Sequence, residues 1–233
     1  MKMWQRVPPL LWQGMLCGVL IDLLFVSISV VRYPVLLYPG QAGTTISVLV
    51  LLLVYGCIGV GLPLRARSIQ MKSLLWRGTI MGMFVGIIFV IDITVENFLD
   101  LSQGGSTFST LGFMALVFLA FGIAGAWGAY RTEPWFLGIL SSVWSAIQGT
   151  LIALFFGFLI NFLFGARLEQ ILVTDYARSG MHDLRAFTFF NTMDSASSHL
   201  LEAPILAAIF GALGALISKG MHPLRGRSLR EAS

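Results

Sequence analysis

Residues 10–31 read LLWQGMLCGVLIDLLFVSISVV, and residues 74–95 read LLWRGTIMGMFVGIIFVIDITV. Both are apolar on every face. At 1.5 Å per residue, a helix of about 20 such residues crosses a hydrocarbon core of roughly 30 Å. A barrel strand would instead alternate apolar and polar side chains over about 10 positions. Each stretch therefore reads as a transmembrane helix. Aligned without a gap, the two share eight residues: Leu10/Leu74, Leu11/Leu75, Trp12/Trp76, Gly14/Gly78, Gly18/Gly82, Phe25/Phe89, Val26/Val90 and Val31/Val95.

The rest of the chain has the same character. Of its 233 residues 57% are hydrophobic and 11% charged, with a mean hydropathy of +0.84. A soluble domain carries about 25% charged residues to clothe its surface. That excludes a soluble globular domain, a disordered chain and a disulfide scaffold. Six stretches are long enough to cross a bilayer, at about 9–31, 43–64, 74–97, 107–130, 136–164 and 197–218. The expected fold is an all-α, polytopic membrane protein with six transmembrane helices. The first stretch reads as a retained helix, because its apolar run exceeds that of a cleaved leader and holds Asp22.

Orientation follows from Lys and Arg. With the N-terminus inside, eleven of them (Lys2, Arg6, Arg65, Arg67, Lys72, Arg77, Arg131, Lys219, Arg225, Arg227, Arg230) are cytoplasmic and four (Arg32, Arg167, Arg178, Arg185) are outside. That split obeys the positive-inside rule and places both termini in the cytoplasm, in a plasma or inner membrane. The net charge of +4 is thus a topology signal, and no basic-aromatic groove points to nucleic acid. The expected partners are the lipid bilayer and either another membrane protein or a second copy of the chain.

A second repeat marks the even spans: Tyr55-Gly56-Cys57-Ile58-Gly59-Val60 resembles Phe121-Gly122-Ile123-Ala124-Gly125-Ala126 and Phe210-Gly211-Ala212-Leu213-Gly214-Ala215. We expect a single membrane domain, 1–233, built of three tandem hairpins at about 9–67, 74–131 and 136–219. The third carries an outer loop at 165–198, and a basic tail follows at 220–233. Three two-helix units match the repeat count of the mitochondrial carriers. The Pro-x-Asp/Glu-x-x-Lys/Arg signature of that family is absent from every odd span, so no residue role carries over. The glycines Gly14, Gly18, Gly78, Gly82, Gly86, Gly122, Gly125, Gly211 and Gly214 are expected to let helices approach closely, within the chain or between copies.

Ionisable groups at membrane depth are costly and mark functional positions. Asp22 is mid-span. Asp92 and Glu96 lie four apart on one helix face, and His199 and Glu202 lie three apart at the start of the last span. With Gln148 these are the expected ligand or transport residues. Carboxylates and an imidazole at one depth suit cation binding or proton relay. His182, His199 and Glu202 form a sparse metal pattern, and no cofactor is named by any motif. The outer loop holds Leu168, Ile171, Leu172 and Tyr176 at helical spacing, which predicts an amphipathic surface helix. Phe187-Thr188-Phe189-Phe190 is expected to dip into the interface or cap a cavity. No nucleophile elbow, zinc helix motif or phosphate loop occurs. Three functions remain open: a small transporter or solute-binding module, a non-catalytic subunit of a membrane complex, and a metal-dependent enzyme at the outer face.

Overall fold

The computed structural model describes residues 2–66, 68–99, 103–130 and 134–220, with side chains from residue 10 onward and excepting 103–107. The expected topology signals Lys2, Arg6, Arg67 and Arg131 and the tail beyond Gly220 lie outside the described side chains. Among the described residues seven α-helices follow one another: α1 Lys2–Arg32, α2 Ala42–Arg65, α3 Ile69–Phe98, α4 Gln103–Tyr130, α5 Phe136–Leu163, α6 Gly165–Ser179 and α7 Leu184–Gly220. No strand occurs among the described residues. All but α6 are long and apolar enough to cross a membrane.

The helix ends have local causes. After α1, a 3₁₀ turn begins at Pro34 and Gly40 takes φ +104°, a conformation that L side chains avoid. At the start of α3 the Ser68 hydroxyl accepts the Met71 N–H at 3.1 Å, satisfying one of the helix's unpaired donors. Gly180, at φ 72°, stops α6. Asp183 Oδ1 then accepts the Ala186 N–H at 3.0 Å and opens α7.

That cap corrects the expected start of the last span. The helix begins at Leu184 rather than 197, so Asp194 and His199 sit well inside it and the outer loop shrinks to α6 plus residues 180–183. Phe187 and Phe189 neither dip nor cap. Both are buried in the bundle, and Phe189 packs on Tyr33 and Phe162 with ring centroids 5.2 and 4.9 Å apart. The amphipathic helix forms as expected: Leu168 is buried, and Leu172 and Tyr176 pack against Met181 and Phe187.

Register makes α1, α3 and α5 run one way and α2, α4 and α7 the other. Val19 faces Gly56 across α1 and α2, while Gly18 faces Leu151 across α1 and α5. We call the end where α1 begins and α7 finishes proximal, and the end carrying α6 distal. The most enclosed span is α5, with α1, α3, α4 and α7 packed around it, while α2 lies against α1 and α7. Trp144 and Phe158 of α5 are fully buried, whereas Leu20, Phe84, Leu119 and Ile209 point outward, as suits a lipid-facing surface.

Small residues set the closest approaches. A Cβ on Gly78 would lie 2.8 Å from the Ser141 carbonyl oxygen, and one on Gly82 2.9 Å from that of Ser145. Gly86 is filled by Ile152 of α5, Gly125 by the backbone of Gly211, Gly214 by Gly122 O, and Gly211 by Ser142. Gly122 has only Phe210 O, at 3.8 Å. On α1 the matched face is open: a Cβ on Gly14 would meet nothing within 4 Å, and one on Gly18 only Leu151 Cδ1 at 3.8 Å.

Candidate functional site in the bundle

The interior is more polar than the apolar runs suggest. Ser141, Ser142, Ser145, Gln148, Thr150 and Asn161 of α5 are all buried. With no water at this depth, each must find partners within the protein. Ser142 donates to Phe121 O at 3.0 Å, which ties α5 to α4. Thr150 donates to Ala146 O at 2.9 Å within its own helix. On the α3 side, Thr79 gathers a hub: its hydroxyl donates to Leu75 O at 2.9 Å and accepts from Trp144 Nε1 at 3.0 Å and Gln148 Nε2 at 2.8 Å. Gln148 and Thr79 line a cleft of about 320 Å³ between α1, α3 and α5, walled by Gly14, Gly18, Trp76 and Phe155 among others.

Not every buried polar atom is satisfied: the Ser141 hydroxyl has no partner, and Asp22 is the extreme case. It has no exposed surface, and both carboxylate oxygens lack a hydrogen-bond partner. It continues the buried stripe of Met15 and Val19, the side of α1 that meets Gly59 and Gly56 of α2. Ile21, beside it, lines the cleft; Asp22 does not. Taking an ion to low dielectric without a partner is prohibitively costly, so the charge must be matched by a proton or a cation.

The distal acids are split. Asp92, half-buried with Oδ1 unpartnered, lies within electrostatic reach of Glu96 and His199. Glu96 accepts from Thr110 Oγ1 at 3.3 Å. His199 Nδ1 is 2.7 Å from Ser195 O, and its ring meets Phe89 edge-on at 5.7 Å. Glu202 stands apart, lining a separate crevice of about 410 Å³ between α2 and α7 with Ser47 and Ser198. The expected grouping of Asp92, Glu96, His199 and Glu202 is therefore two sites. The metal grouping does not assemble: His182 precedes α7, while His199 lies inside it, some 22 Å further along at the helical rise. Among the described residues no three His, Cys, Asp or Glu side chains come together to hold a metal.

Sequence reasoning missed the distal staple. Asn161, buried near the end of α5, donates to Thr188 O at 2.8 Å and Thr192 Oγ1 at 2.9 Å, and its Oδ1 accepts from Thr188 at 3.0 Å. Arg185 reaches over Gly165 to donate to Asn161 O, pairs with Glu169 at 3.7 Å and lies over Phe189. The signal was present in Asn161, the second amide after Gln148 in an apolar span; its partners were hidden because they fall in the stretch read as loop.

These features define the class: a membrane-embedded, all-α bundle of six long apolar helices with a polar interior. Comparison of the chain with protein-family models, with curated proteins and with solved structures finds no match in any of the three.

Proposed function

We propose that the protein is a small transporter or solute-binding module, with Asp22 as its coupling carboxylate. The observation that carries this reading is the fully buried Asp22 with both oxygens unpartnered. A group so placed stays buried only while a proton or small cation neutralises it, so loss of that partner favours a conformation in which it reaches water. The cleft between α1, α3 and α5 supplies a solute site along a neighbouring strip of α1, which Met15 of the Asp22 stripe also lines, so one helix touches both. Asp92, beside Glu96 and His199, offers a proton or cation route at the distal end. Under the positive-inside rule the proximal end, with Arg65, Lys72, Arg77 and Lys219, faces the cytoplasm of a plasma or inner membrane.

A second reading, a subunit of a membrane complex, is favoured by the Gly14-x-x-x-Gly18 step of α1, where among the described residues nothing comes within 4 Å of a Cβ on Gly14 and only Leu151 Cδ1, at 3.8 Å, meets one on Gly18. Native mass spectrometry of the protein released gently from its own membrane separates the two. The transport reading expects a small molecule retained at fixed stoichiometry. A second polypeptide retained with no small ligand would replace it with the subunit reading.

A further inference from the structure

We infer that the cleft between α1, α3 and α5 binds a small, uncharged, largely apolar molecule with an amide-like edge, a hydrogen-bond donor beside an acceptor. The inference gives a ligand class to the solute-binding reading and rests on it for its biological meaning. Its physical ground is the hydrogen-bond arithmetic at Thr79. A hydroxyl has one hydrogen and two lone pairs. The hydrogen of Thr79 goes to Leu75 O, since a carbonyl only accepts. One lone pair takes Trp144 Nε1–H, since an indole only donates. The remaining lone pair can accept only the amide nitrogen of Gln148, which fixes which way that amide points.

Gln148 is thereby left with its Oε1 and second amide hydrogen unused. It is 9% exposed, and that small opening is onto the cleft it lines. No described residue pairs with this edge. An unmade hydrogen bond on a buried amide costs about 1–3 kcal/mol, and the hydrocarbon outside has nothing to offer it. A ligand with a complementary edge removes that cost.

The cleft is kept open by Gly14 and Gly18. On α3 the matched glycines Gly78 and Gly82 are filled by α5, whereas on α1, among the described residues, Gly14 meets nothing and Gly18 only Leu151 Cδ1 at 3.8 Å. Trp76 and Phe155 supply flat apolar walls, and among the described residues no charged side chain lines the space. An ionic ligand would find no counter-charge there. The volume of about 320 Å³ matches the lower end of small-molecule sites, roughly 300–1,000 Å³.

The test uses decanamide carrying a diazirine at the far end of its chain, photolysed in liposomes containing the full-length protein, with adducts mapped by mass spectrometry. Adducts should concentrate on the cleft faces of α1 and α5. Unlabelled decanamide should compete at least about tenfold better than methyl decanoate or decanoate, because only the amide offers both donor and acceptor. Gln148→Leu should erase that preference, and Gly14→Leu, which fills empty space, should block cleft labelling while leaving thermal unfolding unchanged. Equal competition by the ester would reduce the cleft to a groove for any acyl chain and overturn the inference. So would adducts spread evenly over the apolar surface, or a cleft shielded from the probe by a second polypeptide. The assay reads binding alone, so its failure leaves Asp22-coupled flux to be judged separately.

Discussion

At the scale of single residues, Asp22 and Asn161 show how differently one kind of setting can be used. Both are polar groups with no exposed surface on apolar helices. Asn161 spends its amide on Thr188 and Thr192 of α7, whereas Asp22 spends its carboxylate on nothing. A group that only destabilises should be replaceable with profit. Asp22→Leu is expected to raise the thermal unfolding midpoint in detergent, by the equivalent of about 1–3 kcal/mol, since it removes an unsatisfied buried acceptor. A lowered midpoint would mean that the carboxylate has a structural partner. Asn161→Leu should do the opposite. Three interhelical hydrogen bonds at about 0.6 kcal/mol each come to about 2 kcal/mol, and limited proteolysis should then open the α5–α6–α7 corner first. An unchanged cleavage pattern there would remove Asn161 from the staple.

At the scale of elements, glycine spacing says which face of a helix is small but not what covers it. The pair Gly14/Gly18 and the pair Gly78/Gly82 are identical in pattern, yet the first meets at most the tip of Leu151 and the second the backbone of α5. The consequence is measurable. Gly82→Leu should cost about 1–3 kcal/mol or more through overpacking, and Gly14→Leu should cost nearly nothing, both read from unfolding midpoints. Equal effects would contradict the packing described. The same limit explains what the sequence disclosed and what it hid. All six spans were legible because an apolar run of about 20 residues has one use in a membrane. The start of α7 was not, because Arg185, Thr188 and Thr192 lower the hydropathy of a segment whose polar groups are in fact spent internally on Asn161. That Asp22, Asp92 and Glu202 lie within long apolar helices was legible too, though Glu202, expected at the start of its helix, sits midway along it. Their grouping was not, since rotation of an apolar helix about its axis leaves no trace in sequence, and Glu202 turned toward α2 while Asp92 met His199.

At the scale of the whole molecule, α5 acts as the axis around which α1, α3, α4 and α7 pack, and its polar side chains make the interior specific rather than merely apolar. The arrangement places α6 at one end and the close of α7 at the other. Cysteine labelling checks this. Cys17 and Cys57 are first replaced, since both are exposed, and single cysteines are then placed at Thr174 and Lys219. In sealed vesicles, a membrane-impermeant maleimide should reach one of the two positions from outside and the other only after permeabilisation. Reaction of both from one side would break the six-span topology.

The central claim is that Asp22 couples solute movement to a proton or cation. It is tested most directly in proteoliposomes loaded with a pH-sensitive dye, using the small molecule that native mass spectrometry finds on the protein. Wild-type protein should carry that solute with a flux that depends on an imposed proton or sodium gradient. Asp22→Asn, folded and inserted at wild-type level, should lose the gradient-driven flux while still binding the solute. Gradient-driven uptake undiminished in Asp22→Asn would contradict the account.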